Sequence, residues 1–98
     1  MKAGRELDAL IAEKVMGLIF RKRGGCPKFD DDVPHYSTRI QDAWLAVEKM
    51  WEIGCFHIAL IQTDDGYECD FDDMRDTHSA AADTAPLAIS LAALKAVE

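Results

Sequence analysis

Asp83-Thr84-Ala85-Pro86-Leu87-Ala88-Ile89-Ser90-Leu91-Ala92-Ala93-Leu94-Lys95-Ala96-Val97 is the stretch that decides how this chain folds. Asp83 or Thr84 supplies helix-capping chemistry, and Pro86 fits a first turn whose amides have no intrahelical partner. Beyond that turn only Ser90 and Lys95 interrupt the apolar side chains. A helix that is apolar nearly all round must be covered on most of its circumference, either by the rest of a small domain or by a second copy of the chain.

The residues before it read as a hairpin. Cys55 to Ile61 is β-rich and apolar on both faces, which predicts a strand inside a sheet rather than at a solvated edge. Asp64-Asp65-Gly66 is turn chemistry, and in the return strand Tyr67, Cys69 and Phe71 alternate with Glu68 and Asp70, so one face of that strand is expected to be acidic. Met74 to Ala82 reads as a polar, alanine-containing connector. Further upstream, Ser37 or Thr38 is the expected cap of a helix whose face is Ile40, Ala43, Trp44, Val47, Met50 and Trp51, ended by Gly54 in a left-handed C′ conformation. Trp44, Met50 and Trp51 are expected in the core; a Trp51 outside the buried stripe becomes an interface anchor. Leu7, Leu10, Ile11, Val15 and Leu18 form the stripe of a first helix, which Gly17 weakens near its end. Between these helices, Leu18-Ile19-Phe20-Arg21 leaves a short strand open, and Gly24-Gly25, Pro27 and Asp30-Asp31-Asp32 read as an irregular loop.

These elements predict an α+β domain over residues 1–98, an α-β-α layered sandwich with a small antiparallel sheet of two to four strands and three helices, and a variable basic and acidic loop at 18–36. At 98 residues the chain is near the lower end for one hydrophobic core, so a homodimer or higher homo-oligomer would help it bury surface. Its 49% hydrophobic and 30% charged residues mark a globular protein. The amino-terminus passes directly into a helical pattern, with no signal-peptide core and no membrane-length apolar run, and Cys26, Cys55 and Cys69 form no CxxC pair; a cytosolic protein with free thiols is expected.

The formal net charge of −7 is unevenly placed. Asp64, Asp65, Glu68, Asp70, Asp72, Asp73, Asp76 and Asp83 stand against Arg75 alone, while acids and bases balance in the remainder. Arg21, Lys22, Arg23 and Lys28 gather before the Asp30 triplet. A positive loop and a negative hairpin steer partners of opposite sign.

Arg5-Glu6-Leu7-Asp8-Ala9-Leu10-Ile11-Ala12-Glu13-Lys14-Val15-Met16-Gly17, then Tyr36-Ser37-Thr38 leading into Ala43-Trp44-Leu45-Ala46-Val47-Glu48-Lys49, and Ala82-Asp83-Thr84-Ala85-Pro86-Leu87-Ala88-Ile89 ending in Ala92-Ala93-Leu94-Lys95-Ala96 resemble the phage ABA sandwich domain family. The resemblance implies an α-β-α layered fold, an origin in bacteriophages or prophages, and a place in the host cytoplasm. It implies no catalytic residues, because the family has no general activity to carry over. Members often have Trp after the Met16-Gly17 equivalent and a further aromatic loop, where this chain has Leu18 and a basic loop.

Several constellations compete for a functional role. The acidic row Asp64, Asp65, Glu68, Asp70, Asp72 and Asp73 can occupy a groove built for phosphates, or it can be an ordinary solvated hairpin that resists wrong edge pairing. Arg21, Arg23 and Lys28 beside Gly24-Gly25, with Arg75, offer donors to a phosphate or nucleotide, although Walker and dinucleotide spacings are absent. Calcium ligation by Asp70, Asp72, Asp73 and Asp76 lacks the EF-hand pattern, and a zinc set from Cys26, Cys55, Cys69, His57 and His78 lacks paired spacing. No spacing selects a dyad from His35, His57 or His78 with Ser37, Ser79 or a Cys. The leading expectation is a non-enzymatic phage accessory protein, without metal or cofactor, whose acidic surface blocks a host defence protein such as a CRISPR effector. The alternatives are an oligomer that sequesters a nucleotide-derived immune signal, and a virion or regulatory interaction protein.

Overall fold

The computed structural model describes residues 3–17, 34–55 and 57–97. They form three helices and a three-stranded antiparallel sheet in the order α1 (Arg5–Leu10), α2 (Ile40–Glu52), β1 (His57–Thr63), β2 (Gly66–Asp72), β3 (Thr77–Ala82) and α3 (Ala85–Val97). The suggested strand at 18–21 lies outside the described residues.

α3 is the hub. Pro86, Ala88, Ile89, Ser90, Ala92, Ala93 and Leu94 are buried, and Leu87, Leu91, Ala96 and Val97 pack half-buried against the core. It lies over β2 and β3 on one side and meets α2 and the first helix on the other, which is why no polar stripe was needed along it. Burying a side chain such as Ile89 stabilises the fold by about 1.5–3 kcal/mol. Ser90, the one polar group in this buried surface, donates its hydroxyl to the Tyr36 carbonyl at 2.9 Å.

α1 widens at Ile11–Val15 into a π-helical turn closed by Met16 N–H donating to the Ile11 carbonyl at 3.0 Å. Leu7, Ile11 and Val15 from the expected stripe are buried, joined by Ala12. In α2 the buried residues are Ala43, Ala46, Val47 and Met50. Ile40, Trp44 and Trp51 are exposed, which corrects the placing of both tryptophans in the core: α3 takes up only a narrow stripe of α2. The cap also differs. Arg39 rather than Ser37 or Thr38 precedes the first helical residue and makes no side-chain capping bond. Ser37 is instead engaged with α1, and Asp42 in the first turn of α2 accepts a bond from the His35 N–H at 2.9 Å. At the far end Gly54 adopts the expected positive φ of 112°, and Cys55 N–H closes onto the Met50 carbonyl.

Among the described residues the sheet runs β1-β2-β3, with β2 between the other two. Thr77–Ala82, read as a connector, is a strand that pairs with β2 from Tyr67↔Ala82 to Asp72↔Thr77, and among the described residues β1 pairs on the β2 side alone, not on both sides as expected. Alanine and serine have little intrinsic β-preference, and the ladder with β2 overrides it. The turn at Asp64-Asp65 joins Thr63 to Gly66 as expected, with Gly66 at φ 145°. A Cβ there would run into the Ala82 carbonyl oxygen of β3.

Candidate functional site

Cross-strand partners share a face of the sheet. Ile58, Phe71 and His78 therefore point with Leu60, Cys69 and Ala80 toward the helical side, and α3 buries Cys69 and Phe71. The other face carries Glu68, Asp70 and Asp72 along β2, flanked by His57, Ala59 and Ile61 of β1 and by Thr77, Ser79 and Ala81 of β3. This is the acidic face that the alternation predicted, with carboxylates about 7 Å apart along the strand. Asp72 is paired through Oδ2 with His57 Nδ1 at 2.9 Å. Asp70 Oδ1 and Asp72 Oδ1, however, are hidden from solvent and have no hydrogen-bond partner among the described residues. Two neighbouring carboxylates thus have desolvated oxygens that still require donors, and removing such atoms from water without a partner is costly.

The remaining acids divide. Asp64 and Asp65 stand exposed at the hairpin tip. Asp73 turns into its own loop, where Oδ1 accepts the Arg75 N–H at 2.7 Å and the Asp76 N–H at 2.8 Å, and Oδ2 meets His78 Nε2 at 3.0 Å. The bond from the Asp76 amide, then those from Arg75 and His78, hold its carboxyl down to about 2. Its lone pairs serve the loop. Arg75, the described member of the suggested anion set, borders an open concavity with Asp72, Asp73 and Asp76, where carboxylates surround it and a phosphate would be repelled. Arg21, Arg23, Lys28 and Cys26 lie outside the described residues.

The described thiols belong to the core. Burial first, then the nearby Asp73 and Asp72, raises the Cys55 thiol, and burial followed by Asp70 pushes Cys69 up to about 12. Such thiols stay protonated at neutral pH and are poor nucleophiles or metal ligands. Among the described residues no three His, Cys, Asp or Glu side chains converge as a metal site, and no helix is long and apolar enough to cross a membrane.

Two features went unread in the sequence. The first is a buried polar knot: Asp8, fully buried, accepts the Ser37 N–H at 2.9 Å and the Ser37 hydroxyl at 2.6 Å through Oδ1, and Arg5 Nη1 at 2.9 Å through Oδ2. Ser37 Oγ in turn accepts the Gly4 N–H at 2.9 Å, and Arg5 Nη1 meets His35 Nδ1 at 3.0 Å. Asp8 directly beside the apolar Leu7 was the available signal. The second is a groove of about 510 Å³ between α2 and β1, lined by Trp44, Val47, Glu48, Trp51, Glu52 and Ile58.

The chain was compared with known families and structures. A family model described as the phage ABA sandwich domain matches residues 9–94. The fold is similar to a crystal structure of a phage protein from Bacillus cereus ATCC 14579, at 29% sequence identity and a TM-score of 0.78, covering 99% of this chain and 93% of that chain. Among curated proteins none matches.

Proposed function

Since the chain belongs to the phage ABA sandwich domain family, we propose that it is a phage accessory protein that acts by binding, its acidic sheet face engaging a cationic surface on a component of the bacterial host. The observation that carries this reading is the row Glu68, Asp70 and Asp72, three carboxylates on one face of the central strand, each only partly buried. Lys or Arg from a partner would meet the solvent-facing oxygens of this row with charge-assisted contacts. Surfaces that present rows of Lys and Arg are those that hold nucleic-acid phosphates, so the favoured partner class is a nucleic-acid-binding defence effector, with a CRISPR nuclease as one member. The protein would then block the nucleic-acid groove by occupying it.

The test is binding of purified nucleic-acid-dependent defence nucleases to the parent and to Glu68→Gln/Asp70→Asn/Asp72→Asn. Substituting Asp70 and Asp72 removes no hydrogen bond of Asp70 and leaves Asp72 an oxygen for His57, so the triple variant should fold. Expected are salt-sensitive binding by the parent, displacement by duplex DNA, and loss of at least about tenfold in affinity in the variant. Binding that ignores salt and the three substitutions, or no binding to any nuclease of this class, refutes the proposal.

A further inference from the structure

β1 leaves its outer edge unpaired among the described residues, and its sequence His57-Ile58-Ala59-Leu60-Ile61-Gln62-Thr63 contains no Lys, Glu, Asp or Pro. Edge strands normally carry such residues, or bulges, to prevent further pairing, and β1 pairs with β2 in unbroken register from His57↔Asp72 to Thr63↔Gly66. On the helical side of this strand Ile58 closes the groove against α2. Trp44 and Trp51 stay 49% and 63% exposed beside it, and Leu60 is 40% exposed further along the strand. Aromatic residues held half out of water next to an open strand edge are the usual anchors of an interface.

Charge decides which partner fits. Glu48 lies one helical turn from both Trp44 and Trp51, and all three line the groove. Glu52 follows on the same side, reaching Lys49 at only 3.5 Å and remaining 68% exposed. A groove lined by both indoles and carboxylates favours a cation with an aliphatic stem that can pack on the rings. A second copy suits this groove poorly. A two-fold contact sets the same patch against itself, which would oppose Glu48 and Glu52 to their own counterparts in a chain of net charge −7.

We propose that the open edge of β1 and the Trp44–Glu48–Trp51 groove form a docking site for an extended peptide segment of apolar and basic side chains from another protein. The segment adds a strand to β1, placing alternate residues toward α2, with an aliphatic side chain against Ile58 and Val47 and a Lys or Arg on Glu48. The site is separate from the acidic sheet face and stands whether or not that face binds a nuclease.

The protein has two tryptophans, and both border the groove, so its intrinsic fluorescence reports occupancy directly. The probe is the nonapeptide Thr-Leu-Thr-Lys-Thr-Leu-Thr-Lys-Thr, compared with its counterpart carrying Glu for Lys and with a version N-methylated at alternate residues. Expected are a saturable blue shift with the Lys peptide, affinity at least about tenfold weaker for the Glu and N-methylated peptides, and a similar loss in Glu48→Gln/Glu52→Gln with an unchanged melting temperature. Equal response to the Lys and Glu peptides, binding that survives N-methylation, or no response to any peptide overturns the proposal. So does a dimer by light scattering whose tryptophan emission shifts on dilution, since a second copy would then occupy the groove.

Discussion

Truncating Asp8 to alanine tests whether the buried knot holds α1 to the segment before α2. The carboxylate is fully buried and accepts bonds at 2.9 Å and 2.6 Å from Ser37 and at 2.9 Å from Arg5. In Asp8→Ala the Ser37 hydroxyl can turn to the Gly4 carbonyl, already 3.3 Å away, but the Ser37 N–H has no substitute acceptor. An orphaned buried amide costs about 1–3 kcal/mol, and losing a charge-assisted hydroxyl bond adds about 1 kcal/mol. The Arg5 pair contributes less, because its guanidinium side is 29% exposed and water can replace the partner. The sum is about 3 kcal/mol, a large share of the 5–15 kcal/mol typical of a domain. At about 4–8 °C per kcal/mol for a domain of this size, the melting temperature should fall by about 12–24 °C. Circular dichroism melts and urea titrations of the parent, Asp8→Ala and Asp8→Asn measure this, the asparagine keeping an acceptor for Ser37 and losing less than half as much. An Asp8→Ala protein melting within about 4 °C of the parent would refute the reasoning.

Gly66→Ala sets a methyl against the Ala82 carbonyl at a backbone φ of 145°, and should cost about 1–3 kcal/mol in urea unfolding. The Asp73 carboxyl, held down to about 2 from an ordinary 3.8, contributes stability that is present above pH 3.8 and lost as pH falls toward 2. Asp73→Asn should flatten the parent's loss of stability across that window, as followed by denaturant titrations at successive pH values. Cys69, with its thiol near 12, should resist iodoacetamide at pH 8 in the folded protein and react readily in urea, with peptide mapping as the readout.

The contrast between β1 and β3 shows where local pattern stops being informative. β1 looks interior because Ile58, Leu60 and Ile61 make both faces apolar, yet among the described residues it pairs on one side only. β3 looks like a linker because Thr77-His78-Ser79-Ala80-Ala81-Ala82 has no alternation, yet it completes the sheet. Strand order is a property of pairings between distant residues, and neither segment states its neighbours. The acidic face was legible, since alternation along β2 suffices to put Glu68, Asp70 and Asp72 together; that Asp73 would leave the row for its own loop was not, because this depends on amides beyond the strand.

By itself, the amino-acid pattern settled the helical character and near-complete burial of α3, the Asp64-Asp65-Gly66 hairpin, the one-sided acidity of β2 and the family, all of which follow from local periodicity, turn chemistry or residue order. Only the tertiary structure decided that Trp44 and Trp51 face outward, that Asp8 is knotted to Ser37, and that among the described residues β2 lies between β1 and β3 and two carboxylate oxygens on the sheet have no donor. Each of these depends on which distant element covers a side chain and which leaves it open, and such long-range contacts form only when the elements pack.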